Sequence, residues 1–267
     1  MPYLWVKGAA QIIPQLQSFV SFVDPGFSLH NVTIEEARIL YHVEENIEDI
    51  RKFGHILHTK GSDKSIFYQA FNRYYVYMLK DLGGFDKSLR YLEIGMGTNN
   101  PKLVSTMGEH GRPGASLRAF AQMLPNAEIF GADVDRDILF EEPRIKTTYV
   151  DGYNLSTYDD LYHTFGSKKF DFILDDAAHS VASQFNTIIF ALDHINVPGW
   201  IVIEDLDGEE NMESYRILDF MLRQRAKNMN GVKLTTMWIR TAKRRLGGPG
   251  EGSFSHIYTI SLHPADA

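Results

Sequence analysis

A chain of 267 residues with 44% hydrophobic and 23% charged side chains can bury a sizeable core, which excludes general disorder and leaves room for one large α/β domain or a domain with a helical appendage. It has no cysteine, so a disulfide framework, a thiolate metal site and a cysteine nucleophile are all excluded. The formal net charge of −7 argues against nucleic acid as a partner, and with no leader pattern and no apolar run long enough for a bilayer, a soluble, cytoplasmic protein without a membrane partner is expected.

Residues 1–87 read as a helical region. Thr33-Ile34-Glu35-Glu36 has the form of a capping box, with Thr33 as N-cap and Glu36 three residues on. Behind it Ala37, Leu40, Tyr41, Val43 and Ile47 recur at helical spacing. Ser62 or Asp63 is placed to cap a second helix with Ile66, Phe67, Ala70, Phe71, Tyr74 and Met78 on one face, and Gly83-Gly84 stops it. Tyr68, Tyr74, Tyr75 and Tyr77 serve either packing or the wall of a substrate pocket, packing being the more common use. An aromatic-rich helical region also offers a contact for a homo-oligomer, or a lid over a site.

From Leu89 onward short apolar runs alternate with helical stretches, the pattern of a mostly parallel sheet. Strands are predicted near 89–94, 127–132, 145–150, 170–174, 199–203, 232–239 and 254–261. Helices are predicted near 115–124, 155–165, 180–194 and 210–229. The loop Gly247–Gly252 between the last two strands makes a hairpin, so one of those strands should run antiparallel to the rest. The expected fold is a seven-stranded, doubly wound, Rossmann-like α/β sheet over residues 88–267 with a C-terminal antiparallel hairpin, preceded by the helical extension.

The first of these strands stops at Gly95-Met96-Gly97, where two close glycines let the backbone bend tightly and approach a ligand. A third glycine in register is missing, so this is not the pyrophosphate-binding G-x-G-x-x-G, and a ribose-bearing ligand without a pyrophosphate fits better. The next strand ends at Asp133-Val134-Asp135, where a carboxylate can accept from both hydroxyls of a ribose; the alternative is a turn cap. Between them the Asn99–Gly114 segment, rich in Gly, Pro and Asn, looks like an insertion that covers the site. Asp151-Gly152 stands at the third strand end, as base contact or as turn.

The fourth strand leads into Asp175-Asp176-Ala177-Ala178-His179 and the fifth into Glu204-Asp205. Neighbouring strands would bring these carboxylates together, and several carboxylates cannot crowd ionised without a cation or raised pKa values. All-oxygen ligands favour a hard cation, Mg²⁺ first, and His179 beside it is placed to be a general base. The alternative is that the acids cap the following helices and His179 is a packed loop residue. His55 and His58, Arg223, Arg225 and Lys227, and Lys243, Arg244 and Arg245 read as solvated or packed groups, the last run with an option on an anionic substrate.

Glu93-Ile94-Gly95-Met96-Gly97, Gly131-Ala132-Asp133, Asp151-Gly152 and the run Phe170 to Asp176 stand in the order found in class I S-adenosylmethionine-dependent methyltransferases, which the chain resembles over about residues 88–262. More narrowly, Gly114 to Phe120, Asp175 to His179 and Ile203-Glu204-Asp205 are similar to the metal-dependent O-methyltransferases of macrolide sugars, the mycinamicin type; Ala177-Ala178 replaces the Gly-Ser of that group. The resemblance implies Mg²⁺ on Asp176, Glu204 and Asp205, with His179 as the base. On the donor side it implies S-adenosylmethionine held by Glu93, Gly95, Gly97, Asp133 and Asp151, with Ser116 and Asp175 beside them. The implied activity is methyl transfer to a hydroxyl of a small, natural-product-like metabolite. A nicotinamide-dependent oxidoreductase shares the glycine turn and the ribose carboxylate, but the absent third glycine counts against it. A catalytically inactive methyltransferase-like binding module has no need of a costly buried carboxylate–histidine set.

Overall fold

The computed structural model describes residues 14–65, 70–206, 209–242 and 254–265. Residues 14–23 are helical (α1). A two-residue strand β1 (Asn31–Val32) precedes the helices α2 (Ile34–Leu40), α3 (Ile47–Lys60) and α4 (Asn72–Asp81). The remainder alternates: β2 (Arg90–Ile94), α5 (Ala115–Met123), β3 (Glu128–Asp133), β4 (Glu141–Glu142), β5 (Ile145–Tyr149), α6 (Ser156–Thr164), β6 (Phe170–Asp175), α7 (Val181–His194), β7 (Ile195–Ile203), α8 (Glu209–Ala226), β8 (Val232–Ala242) and β9 (Phe254–Pro264). No helix among the described residues is long and apolar enough to cross a membrane.

The strands form one sheet in the order β1-β8-β9-β7-β6-β2-β3-β5-β4. Nine strands rather than seven is a correction to the sequence reading. The two additions are β1, parallel to β8, and β4, antiparallel to β5, each only two residues long and at a sheet edge. Strand β9 runs antiparallel to both β7 and β8, as the hairpin reading required. The loop that joins β8 to β9, including Gly247–Gly252 and the basic run Lys243-Arg244-Arg245, lies outside the described residues.

Period-two alternation divides the core into two faces. Tyr91 of β2, Phe172 and Leu174 of β6, and Trp200 and Val202 of β7 pack against α2 to α5. Leu92, Ile94, Ile173, Ile201 and Ile203, from the other face, pack against α6, α7 and α8. Phe120 of α5 is fully buried; its ring stacks on Tyr91 at 4.1 Å and meets Phe53 of α3 edge-on at 5.0 Å. Helices α2 to α4 therefore complete one face of the sheet. Trp200 adds a polar tie to them, donating from Nε1 to Asp81 at the end of α4 (2.7 Å).

The capping box is present at α2: Glu36 N–H donates to Thr33 Oγ1 (3.3 Å), and Thr33 N–H donates to the Glu36 carboxylate (2.9 Å). The helix nevertheless stops at Leu40, where the chain turns through His42 in a left-handed conformation (φ 47°), and α3 starts afresh at Ile47. The helix expected from Ser62 begins only at Asn72. Gly61 (φ 92°) ends α3, Ala70 (φ 58°) is also left-handed, and the turn at residues 61–65 carries Lys64 into the interior instead. Ile66, Phe67 and Tyr68 lie outside the described residues. Tyr74 and Tyr75 are fully buried in the core, which is the packing use.

Candidate functional site

Strands β2, β3, β6 and β7 are parallel and end on the same edge of the sheet. From β2 the chain steps outward to β3 and β5, then returns to β6 and β7 on the other side of β2. This reversal opens a crevice at the carboxyl ends of β2 and β6, where open α/β sheets hold ligands. The two strand ends touch. Asp176 N–H donates to the Ile94 carbonyl (2.8 Å), and Gly95 N–H donates to the Ala132 carbonyl (2.8 Å). Gly95 has φ 90°, and a Cβ there would lie 2.2 Å from the Asp176 carbonyl oxygen and 2.6 Å from Ala177 Cα. The glycine is required because the backbone after β6 passes through the space a side chain would fill.

The crevice divides into two clefts that share Gly95, Gly97, Ser105 and Asp176. The first is lined by Gly95, Gly97, Asp133, Val134, Asp151 and Tyr153, a mix of bare backbone, carboxylates and apolar side chains. The Asn99–Gly114 segment folds back over both: Met107 N–H donates to the Thr98 carbonyl (2.8 Å), and Met107 Cε stands where a Cβ on Gly97 would go. Asp133 is buried and does two local jobs. One oxygen accepts from Met96 N–H (2.7 Å), bracing the glycine turn, and the other accepts from Asp135 N–H (2.9 Å). Burial, against those two amides, raises its pKa. Asp151 lines the same cleft, and its Oδ1 accepts from Tyr153 N–H (3.0 Å), a turn bond. Asp175 lines neither cleft. It points into the interior, where the Thr187 hydroxyl donates to it, and burial pushes its pKa up to about 6.

The second cleft ends in a charged cluster. Asp176 Oδ1 meets His179 Nε2 at 3.0 Å, and Asp205 Oδ2 lies 3.9 Å from the same nitrogen. One ligand atom each from Asp176, His179 and Asp205 lies within 4.8 Å of the others, a grouping able to hold a metal ion. Glu204, the third residue read as a metal ligand, is fully buried and faces another cation: its Oε2 accepts from Lys64 Nζ at 2.6 Å. The same ammonium is paired with Asp176 Oδ2 and stands 3.9 Å from Glu93 Oε1. Glu93 is buried at the end of β2. Its carboxylate accepts from the Ser116 hydroxyl (2.7 Å and 2.8 Å) and from the Tyr91 hydroxyl (3.0 Å). Ser116 and Glu93 both line the second cleft.

Burial and charge set the protonation of this group. Burial works against the charge on Asp176, but Lys64 and His179 outweigh it and hold the carboxyl at about 2. Burial also opposes the charge on Lys64, and Asp176, Glu204 and Glu93 together keep its pKa well above the ordinary lysine value. For His179, burial is overcome by the Asp176 hydrogen bond and the carboxylates, and its pKa rises to about 9. Glu204 goes the other way: burial pushes it up to about 8 even with the ammonium alongside. Both His179 (φ 51°) and Asp205 (φ 49°) are left-handed, a conformation that costs on the order of 1–3 kcal/mol away from glycine and collects at functional sites.

A divalent cation fits this donor set. The donors on offer are hard carboxylate oxygens and one imidazole, and nearby Glu204 Oε1 is buried without a hydrogen-bond partner. The sequence reading missed Lys64, which sits in the polar run Gly61-Ser62-Asp63-Lys64 and looks like a solvated residue; the excess of converging carboxylates was its only signal. His55 and His58 are exposed on α3, and Arg225 and Lys227 are exposed at the end of α8. Arg223 pairs with buried Asp219 (2.9 Å) and lies 5.3 Å from the Phe27 ring centroid.

No family model matches the chain. Mycinamicin VI 2''-O-methyltransferase of Micromonospora griseorubida is 29% identical to it over 121 residues, which is 45% of this chain and 28% of that protein. Among solved structures, the MycE methyltransferase of the mycinamycin biosynthetic pathway in complex with Mg and SAH aligns with a TM-score of 0.57 at 20% identity, covering 80% of this chain and 55% of that one. The MycE complex with Mg, SAH and mycinamycin VI aligns with a TM-score of 0.56 at 19% identity, over 80% and 55%. The chain thus spans about half the length of these solved proteins and just over a quarter of the curated relative. It resembles the MycE methyltransferase in fold, and part of its sequence is similar to the mycinamicin enzyme.

Proposed function

We propose that this chain is an S-adenosylmethionine-dependent O-methyltransferase that acts on a hydroxyl of a small, natural-product-like metabolite with the help of Mg²⁺. The observation that carries the reading is the junction of the two clefts. Gly95 and Asp176 line both, so a donor beside the glycine turn and an acceptor beside the carboxylates would meet there. The glycine turn and Asp133 in one cleft support an amino-acid-tailed nucleoside, and the carboxylate–imidazole group in the other supports activation of a hydroxyl.

In this reading the backbone of Gly95–Gly97 and the Glu93 carboxylate take the amino-acid end of the donor, Asp133 takes the ribose, and Asp151 borders the base. S-adenosylmethionine supplies an electrophilic methyl group, so the protein's task is to hold an oxygen in line with it. Asp176, Glu204 and Asp205 would hold Mg²⁺, which lowers the pKa of a bound hydroxyl. His179 would accept the hydroxyl proton. With the carboxylates beside it the imidazole keeps its own proton at neutral pH; Mg²⁺ on Asp176 and Asp205 would weaken that hold and leave Nε2 able to act as a base. The short side chains of Ala177 and Ala178 leave the first cleft open beside Asp176.

Calorimetry with SAH tests the donor half. Binding is expected, and Asp133→Ala should weaken it by about tenfold or more, the value of charge-assisted hydrogen bonds. Wild-type protein that ignores SAH overturns the reading. Loss of turnover on EDTA treatment, restored by Mg²⁺, tests the metal half.

A further inference from the structure

Two of the three carboxylates read as metal ligands, Asp176 and Glu204, already face a cation. Lys64 Nζ is already paired with Asp176 Oδ2 and lies 2.6 Å from Glu204 Oε2 and 3.9 Å from Glu93 Oε1. The lysine is buried to 2% exposure, and Glu204 and Glu93 are equally enclosed. Its backbone is fastened on both sides, Lys64 N–H donating to Ser62 Oγ (3.3 Å) and Asn72 N–H donating to the Lys64 carbonyl (3.3 Å). This is a built ion pair, not a surface lysine that has strayed inward.

An ammonium and a divalent ion compete for the oxygens of Asp176 and Glu204. Mg²⁺ draws its oxygen ligands to roughly 2.0–2.1 Å, and a +1 and a +2 charge a few ångströms apart in a buried site repel strongly. We propose that Lys64 is a resident cation of the metal position. Its ammonium holds Asp176 and Glu204 together when no metal is bound, and divalent metal enters only as Lys64 withdraws. The inference rests on the metal half of the function proposed above and adds a competitor built into the chain. Glu204 Oε1, buried and without a partner, is the oxygen that a lysine at Oε2 leaves unsatisfied and that an incoming metal could use. Lys64 would thereby set how tightly this protein holds its metal and keep the carboxylates assembled in its absence.

The test is a titration of the full chain, stripped with EDTA, with Mn²⁺ followed by the electron paramagnetic resonance signal of the free ion. Lys64→Met should bind Mn²⁺ at least about tenfold more tightly than wild type, since the buried pairs no longer have to be broken. Lys64→Arg, which keeps the charge, should remain weak. Equal or weaker binding by Lys64→Met, or no Mn²⁺ binding by either protein, overturns the proposal. SAH calorimetry on the same samples reports folding, and it also keeps a failure here distinct from a failure of the methyl-donor reading. A second measurement uses the wild type alone, so it does not depend on a variant that folds. Acetylation of Lys64 by an amine-reactive ester, read by peptide mass spectrometry, should rise when saturating Mg²⁺ is present. Labelling that is unchanged or reduced by Mg²⁺ contradicts it.

Discussion

Gly95→Ala should damage both halves of the site at once. The added Cβ would sit 2.2 Å from the Asp176 carbonyl oxygen, 2.5 Å from its carbon and 2.6 Å from Ala177 Cα. All three are backbone atoms, so no side chain can swing aside, and the strand ends must part by about 1 Å, an overpacking that costs about 1–3 kcal/mol. The φ of 90° adds about 1–3 kcal/mol for any residue with a Cβ. Together these approach half of a typical domain stability of about 5–15 kcal/mol. Gly97→Ala is the internal control. Its φ is also positive (78°), but its Cβ would meet only the flexible end of Met107, at 2.3 Å. Urea denaturation followed by circular dichroism should therefore rank Gly95→Ala well below Gly97→Ala, and Met107→Ala should restore stability to the second but not to the first. SAH and Mn²⁺ affinity should both fall in Gly95→Ala, because the loop it displaces carries Asp176. A Gly95→Ala protein as stable as Gly97→Ala, with both affinities unchanged, refutes the close-approach argument.

Three further outcomes follow from the same geometry. Thr33→Ala removes the acceptor for Glu36 N–H in the capping box and should cost about 1 kcal/mol in urea unfolding without altering SAH binding. Phe120→Ala empties the ring position between Tyr91 and Phe53 and should cost about 3–5 kcal/mol; a loss under about 1 kcal/mol would mean that this layer is not packed as described. His179→Asn keeps a residue tolerant of the left-handed backbone at φ 51°. With an acceptor in hand, turnover should drop by roughly 10²–10⁴-fold while SAH affinity holds; full activity in that variant would remove His179 as the base.

The long elements were legible because each carries a whole period of buried positions. The seven strands from β2 to β9, leaving out β4, lie where short apolar runs placed them, and α5 to α8 lie in the helical stretches between. Strands β1 and β4 are two residues each, too short for any period to show, and Glu141-Glu142 carries charge at a sheet edge where backbone pairing alone makes the strand. The helix expected from Ser62 was misread for a different reason. Ala70, Phe71, Tyr74 and Met78 do keep helical spacing, but Ala70 takes φ 58° and the turn before it is given over to burying Lys64. Tertiary electrostatics overrode local pattern there, as propensity commonly yields to context.

The acids of the site announced themselves because each follows an apolar strand, so that a local pattern places them at one edge of the sheet. Their counter-ion had no such mark. Lys64 lies 112 residues from Asp176 and 140 from Glu204, and nothing in the residues around it distinguishes it from a solvated lysine. The departure at Ala177-Ala178 has a physical account of the same non-local kind. The tight approach between the two strand ends is relieved on the β2 side, by Gly95, whose missing Cβ leaves room for Ala177 Cα. Neither Ala177 nor Ala178 has a positive φ, so a Cβ at each is tolerated without strain. A glycine is needed on only one of two crossing backbones, and here it stands at Gly95 in the turn after β2. The Asp176 loop can therefore carry alanines and still present its carboxylate to whichever cation, ammonium or metal, occupies the site.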